Sequence, residues 1–284
     1  PKPFLVQFGW CGNGRPPKDR LDLLKAFVAK AVYDIPNTDA LVEFIKGNKN
    51  LRVLCGWETK SEVPSPSTFS RAFAQFAESG VLVEIHARMI QNLYGSKVAG
   101  HVSRDSTAIE VRERPAKKEK KADPKPKRKR GRPKKGEIRP PKEPTRLELQ
   151  PKRSLEENLA DLPFCCDIGA KKNSKGHSEH WIGYKLHADV VDGDVPVSMV
   201  LTSASVHDSQ VAIPLAQMSQ GRVTSLYDLM DSGYDASGIR QYSESIGHVP
   251  IIEDNPRRKK PPPMPPAERA RYGQRSSVER VFSM

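Results

Sequence analysis

The chain has 284 residues, of which 37 % are hydrophobic, enough for one large or two smaller folded units but below the usual share for a wholly folded chain. Net charge is +13, and residues 112–146 alone hold 17 Lys or Arg against 5 Asp or Glu, which leaves the rest close to neutral at +1. No apolar run approaches a membrane span, no signal peptide is visible, and Cys11, Cys55, Cys165 and Cys166 form no C-x-x-C pair, so a membrane helix and a zinc module are poorly supported.

Residues 1–95 read as a compact all-α unit of four or five helices. Leu21, Leu24, Phe27, Val28, Ala31 and Val32 recur at helical spacing. Thr38 is placed to cap a second helix carrying Leu41, Val42, Phe44 and Ile45. Ser65-Pro66 is a helix start, with Phe69, Phe73 and Phe76 on the buried face and Gly80 after the end. Val81 to Tyr94 reads as another helix. Short helices with a Ser/Thr-rich turn suit a DNA-reading helix-turn-helix and a plain packing unit equally.

From Val98 the character changes. Val98 to Val111 is rich in β-branched residues and reads as a strand, the first of a second domain begun at 96–111. Residues 112–152 are rich in Pro and Lys, nearly free of apolar side chains, and expected to be disordered or locally extended. The domain resumes over 153–284. Trp181–Val191 and Val195–Leu201 read as antiparallel strands joined at Asp192-Gly193-Asp194. Asp208 is placed to cap a helix running to Met218. Ser225–Met230 reads as a buried strand, Ala236–Ile246 as a helix ended by Gly247, and Val249–Ile252 as a strand. A proline-rich loop, Pro256–Pro266, precedes a last helix over 267–284. This order predicts an α/β layered domain with a mixed sheet.

Three carboxylates stand out in that frame. Asp105 lies in an otherwise apolar-to-small strand, Val102 to Ile109, where an inward carboxylate is costly unless something pairs with it. Asp231 directly follows the strand Leu226–Met230, at the kind of strand end where open α/β sheets bind ligands. Glu279 lies on the terminal helix. Alone, Asp231 before Ser-Gly is also a simple turn residue, and Glu279 a solvated helix residue. Together they make an oxygen-only set suited to Mg²⁺ or Mn²⁺ and to displacement at a phosphodiester.

The company these residues keep resembles a known family. Tyr272-x-x-Arg275-x-x-x-Glu279 resembles the signature of bacterial insertion-sequence DDE transposases of the Y-R-E-K type. Asp231-Ser-Gly-Tyr234 is similar to the block around the second catalytic Asp, and Asp105-Ser-Thr107 to the first. Trp181-x-Gly183-Tyr184-Lys185-Leu-His187, Thr202-x-Ala204-x-x-His207-Asp208 and the helical stretch from Arg15 to Arg71 also match in order. The resemblance implies an RNase H-like core, metal binding by Asp105, Asp231 and Glu279, and contact of Tyr272 and Arg275 with the phosphate backbone of the element's end. It also implies double-stranded DNA as partner, a homodimer on paired ends, and a cytoplasmic, nucleoid-associated bacterial protein. The signature's Lys would fall seven residues after Glu279, beyond Met284, so a core truncated at its C-terminal end is expected. His187 and His207 are the histidines nearest the acidic blocks and are candidate accessory residues.

The basic tract holds Lys127-Arg-Lys-Arg130-Gly131-Arg132-Pro133-Lys134-Lys135, which resembles an AT-hook. Gly permits close backbone approach, Pro keeps the chain extended, and Arg130 and Arg132 suit a narrow minor groove. The bland reading is a solvated polycationic linker. Three functions follow: a transposase that nicks and joins DNA, an inactive DNA-binding derivative of one, or an RNase H-like nuclease without strand transfer.

Overall fold

The computed structural model describes residues 2–10, 12, 16–116, 143–172, 176–256 and 262–283. The chain divides into two units, Pro1–Met89 and Ile90–Met284. In the first, α1 (Lys2–Leu5) and a 3-10 turn lead to α2 (Arg20–Val32), α3 (Thr38–Gly47), α4 (Lys49–Leu54), α5 (Pro66–Ser79) and α6 (Val81–Tyr94), the last running on into the second unit. Asn37, not Thr38, caps α3: its Oδ1 accepts the Ala40 N–H at 2.8 Å from an extended backbone, and Thr38 is already helical. Gly80, at φ +67°, ends α5 in the left-handed region. The core gathers Leu23, Ala26, Leu41, Ile45, Phe69 and Phe76.

Two expected faces are turned. Val28 and Val32 are exposed, and α2 buries Leu23, Ala26 and Ala29 instead. Apolar residues ring most of that helix, so its periodicity admits more than one inward face. Phe73 is 55 % exposed, a rim residue 5.6 Å from the Phe27 ring, while Ala72 takes the buried place between Phe69 and Phe76.

The second unit is built on β1 (Val98–Glu110). Two short helices, α7 (Arg146–Leu149) and α8 (Leu155–Asp161), follow residues 117–142, which lie outside the described residues. Both helices begin with capping boxes, Thr145 with Glu148 and Ser154 with Glu157. The expectation of an irregular chain as far as 152 is thus corrected at its C-terminal end: the S/T-x-x-E signature starts a helix where composition alone predicts none. Then come β2 (Asp167–Lys172), β3 (Ser178–Val191), β4 (Val195–Ser203), α9 (Ala212–Gln220), β5 (Thr224–Met230), α10 (Ser237–Ser245) and β6 (Val249–Ile252). The chain closes on α11 (Pro266–Tyr272), a 3-10 turn Gly273–Arg275, and α12 (Ser276–Ser283).

The sheet runs β4-β3-β1-β5-β6, with β2 pairing antiparallel to the outer half of β3. Pairs β1–β3 and β3–β4 are antiparallel; β1–β5 and β5–β6 are parallel. This mixed six-stranded sheet flanked by helices is RNase H-like. The turn at Asp192–Asp194 forms as its residues predict, with Gly193 at φ +87° and Asp194 at φ +62°. Gly183 sits where β1, β2 and β3 meet: a Cβ there would lie 2.1 Å from the Ile109 carbonyl oxygen. No helix among the described residues is long and apolar enough to cross a membrane.

Strand alternation divides the chemistry between two faces. Register pairs Arg104 with Asp189, Ser106 with His187 and Asp105 with Ala188. Arg104, Ser106, Lys185, His187 and Asp189 therefore leave one face, toward α9. Ser103 and Asp105 leave the other, toward α12, where the Ser277 and Ser103 hydroxyls lie 3.0 Å apart. The expectation that the strand around Asp105 is otherwise apolar to small overlooks Arg104. This residue is fully buried and donates twice to Asp189, each bond 2.7 Å.

Candidate active site

Asp105 and Asp231 meet through the parallel register of β1 and β5. Arg104 is the partner of Met230, and Asp105 and Asp231 follow them directly, close enough for the charge of Asp105 to act on Asp231. Asp231 begins where β5 ends, and its Oδ1 accepts the Gly233 N–H at 2.9 Å, capping a 3-10 turn over Ser232–Tyr234. The turn role uses one oxygen of the carboxylate, Oδ1. Strand β5 buries Leu229 and Met230 but leaves Leu226 exposed.

Asp105 is held on two sides. Its Oδ1 accepts the Ser106 N–H at 2.7 Å, and its Oδ2 accepts Arg275 Nη1 at 2.6 Å. Arg275 Nη2 donates to Glu279 Oε1, also at 2.6 Å, so one guanidinium bridges Asp105 and Glu279. A single helix face carrying Tyr272, Arg275 and Glu279 is not what forms. Tyr272 ends α11, Arg275 lies in the 3-10 turn, and Glu279 belongs to α12. The Tyr272 hydroxyl donates to Glu253 at 3.3 Å, and burial pushes its pKa up to about 12.

Burial raises the Asp105 carboxyl above the ordinary carboxylate range, against the pull of the Ser106 N–H and Arg275. Burial and then the neighbouring charge of Asp105 raise Asp231. A raised folded-state pKa means that the folded chain binds a proton more readily than the unfolded one, so stability falls as pH climbs from the ordinary value through the raised one. Asp231→Asn removes this penalty and keeps an oxygen for Gly233. Without divalent metal at pH 7 its melting temperature is expected to rise by a few degrees, since 1 kcal/mol is worth roughly 2–4 °C in a chain of this size. The rise should shrink toward pH 4 in thermal melts, and a drop at pH 7 would contradict the charge argument.

A second cluster lies on the other face. Asp208 does not cap a helix: the His207 ring caps the 3-10 turn Asp208–Gln210, accepting from the Ser209 N–H, and α9 starts only at Ala212. The Asp208 Oδ1 instead accepts the Ser106 hydroxyl at 2.8 Å and Lys185 Nζ at 3.0 Å. His187 is buried, with Nε2 3.0 Å from the Thr202 hydroxyl and Nδ1 3.7 Å from Asp208. Burial lowers its pKa to about 4, so it is neutral at pH 7. His187 thus belongs to the Asp208 cluster, and His207 is exposed against Ser209. Sequence reasoning places Lys185 and Asp208 in family-like blocks and gives Asp208 a capping role, but not their contact with each other. The alternation of Lys185 and His187 in β3 is the signal that marks them as neighbours on one face.

The oxygen donors suit a hard cation, and the raised Asp105 and Asp231 are two like charges that a cation would relieve. Among the described residues no group of three or more His, Cys, Asp or Glu is assembled to hold a metal, and the positive charge between Asp105 and Glu279 is Arg275. Arg130 and Arg132 lie outside the described residues.

Two family models match the chain: a transposase domain (DUF772) over residues 5–75, and a transposase DDE domain over residues 156–284. The chain belongs to the insertion-sequence DDE transposases. The second match contains Asp231 and Glu279 but begins after β1 and so leaves out Asp105, which strand register brings toward Asp231 and Arg275 ties to Glu279. Searches of curated proteins and of solved structures gave no match to this transposase.

Proposed function

We propose that this transposase nicks the phosphodiester at the ends of its element and joins the freed 3′-hydroxyl to target DNA, using Asp105, Asp231 and Glu279. The observation that carries the reading is that Asp105 and Asp231 directly follow the paired residues Arg104 and Met230, close enough for the charge of Asp105 to act on Asp231, with Arg275 tying Asp105 to Glu279. The three carboxylates would hold Mg²⁺ or Mn²⁺, which supplies activation of the attacking oxygen and stabilisation of the leaving one. Arg275 has a second role. A guanidinium matches phosphate bidentately, so arriving DNA competes for it and frees Asp105 and Glu279 to turn toward the cation. Tyr272 lies beside it, with the Arg275 guanidinium carbon 5.8 Å from the ring centre, and would support the same phosphate, as in the Y-R-E-K type.

Residues 1–95 are assigned a DNA-binding role, and the tract at 112–152, with Arg130 and Arg132, contact along the duplex. Two copies would pair the two ends. The test incubates the full chain with supercoiled DNA carrying the element's ends and Mg²⁺. Nicks with 3′-hydroxyls and joined products are expected, and both should vanish on chelation. Nicks without joined products would leave a nuclease. Arg130→Ala with Arg132→Ala should flatten the dependence of log affinity on log salt by about 0.9 for each phosphate that is no longer neutralised. An unchanged slope would remove the tract from the DNA interface.

A further inference from the structure

We infer that Asp208 and Lys185 form a positioning pair that sets the orientation of Asp105 through Ser106. The inference rests on the reading of Asp105 as a metal-holding carboxylate and adds residues outside the three carboxylates and the Tyr272–Arg275 pair.

Ser106 works on both faces of the sheet. Its backbone N–H holds Asp105 Oδ1 at 2.7 Å on the α12 side. Its hydroxyl leaves the opposite face and donates to Asp208 Oδ1 at 2.8 Å. That same oxygen takes Lys185 Nζ at 3.0 Å, and the ammonium is anchored in turn to the Val206 carbonyl at 2.9 Å. The Lys185 side chain is 12 % exposed, so this ion pair is shielded and fixed by backbone rather than loose in solvent. His187 closes the cluster between Thr202 and Asp208. The result is a continuous path from the rigid β3–β4 hairpin and the Val206 backbone to one oxygen of Asp105.

Geometry favours positioning over direct ligation. Alternation sends the Ser106 and Lys185 side chains to the face opposite Asp105, and the negative charge of Asp208 is already matched by Lys185. The pair therefore braces Asp105 from the opposite face of β1. Groups that orient a metal-holding side chain without touching the metal typically change metal affinity 10–100-fold.

The experiment uses the full chain and four variants: Ser106→Ala, Ser106→Thr, Asp208→Asn, and Ser106→Ala with Asp208→Asn. Mn²⁺ binding is measured by calorimetry without DNA, and half-saturating Mg²⁺ is measured for nicking. Ser106→Ala and Asp208→Asn should each weaken Mn²⁺ binding about 10-fold. The double variant should lose no more than the worse single one, because both act along one path. Ser106→Thr, which keeps the hydroxyl, should restore binding. Ser106→Ala is the smallest change and keeps the test valid if Asp208→Asn unfolds. Wild-type Mn²⁺ affinity in Ser106→Ala, or additive losses in the double variant, would overturn the inference. So would fewer bound ions in Asp208→Asn but not in Ser106→Ala, which would make Asp208 a ligand. Failure of the underlying site reading looks different: Asp105→Asn itself would then bind Mn²⁺ like the wild type.

Discussion

Asp231→Asn and Asp105→Asn are each expected to lower Mg²⁺-dependent nicking by about 10³-fold or more while DNA affinity stays near wild type. A metal at a phosphodiester supplies several kcal/mol of transition-state charge stabilisation. Losing about 4 kcal/mol of it is a factor near 10³, at 1.36 kcal/mol per tenfold. An amide cannot replace the charge that a carboxylate offers a hard cation. The local fold should survive both changes. In Asp231→Asn the side-chain oxygen still caps the turn through Gly233, and in Asp105→Asn an oxygen remains for the Ser106 N–H. In Asp231→Asn the two properties should move in opposite directions in one sample: activity falls, and metal-free melting temperature rises. This opposition separates a site residue from a structural one, since loss of a structural carboxylate lowers both. Nicking within tenfold of wild type in Asp231→Asn would remove that residue from the chemistry.

The fold is legible wherever periodicity and turn chemistry agree. The strand Val98–Glu110, the Asp192–Asp194 hairpin, and the alternation of strands and helices after Thr224 are carried by β-branched runs and positive-φ turn residues. What escapes the sequence is non-local. Strand β2 is short and polar, Asp-Ile-Gly-Ala-Lys-Lys, and exists because the outer half of β3 offers it a ladder. The last helix reads as continuous, but Gly273 gives little support to an α-helix, and the chain tightens to a 3-10 turn that delivers Arg275 to Asp105. The three carboxylates are legible as a set through spacing and resemblance, and register supplies what brings Asp105 beside Asp231. Asp208 misleads because a local rule, capping, competes with a contact made 102 residues away in sequence, the Ser106 hydroxyl.

Arg104→Met is expected to destabilise the second unit by about 3–5 kcal/mol, the usual cost of stranding one member of a buried ion pair. The loss should appear as a drop of roughly 10 °C in melting temperature. Arg104 is 1 % exposed and Asp189 fully buried. Without the guanidinium, Asp189 keeps, among the side chains of the described residues, the Ser219 hydroxyl at 2.6 Å, which is itself 2.9 Å from that of Ser198. The pair also fixes register. It joins β1 to β3 at the residue before Asp105, and a slip of one residue would turn Asp105 toward α9, away from Asp231 and Arg275. Arg104→Met combined with Asp189→Leu removes both charges and should recover most of the stability. Nicking measured on that pair of variants separates the two roles. If stability returns and activity does not, the ion pair specifies the register that builds the site. If both return, hydrophobic packing holds β1 in place equally well. If stability does not return, the cost lies in the packing around the long Arg104 side chain rather than in a stranded charge.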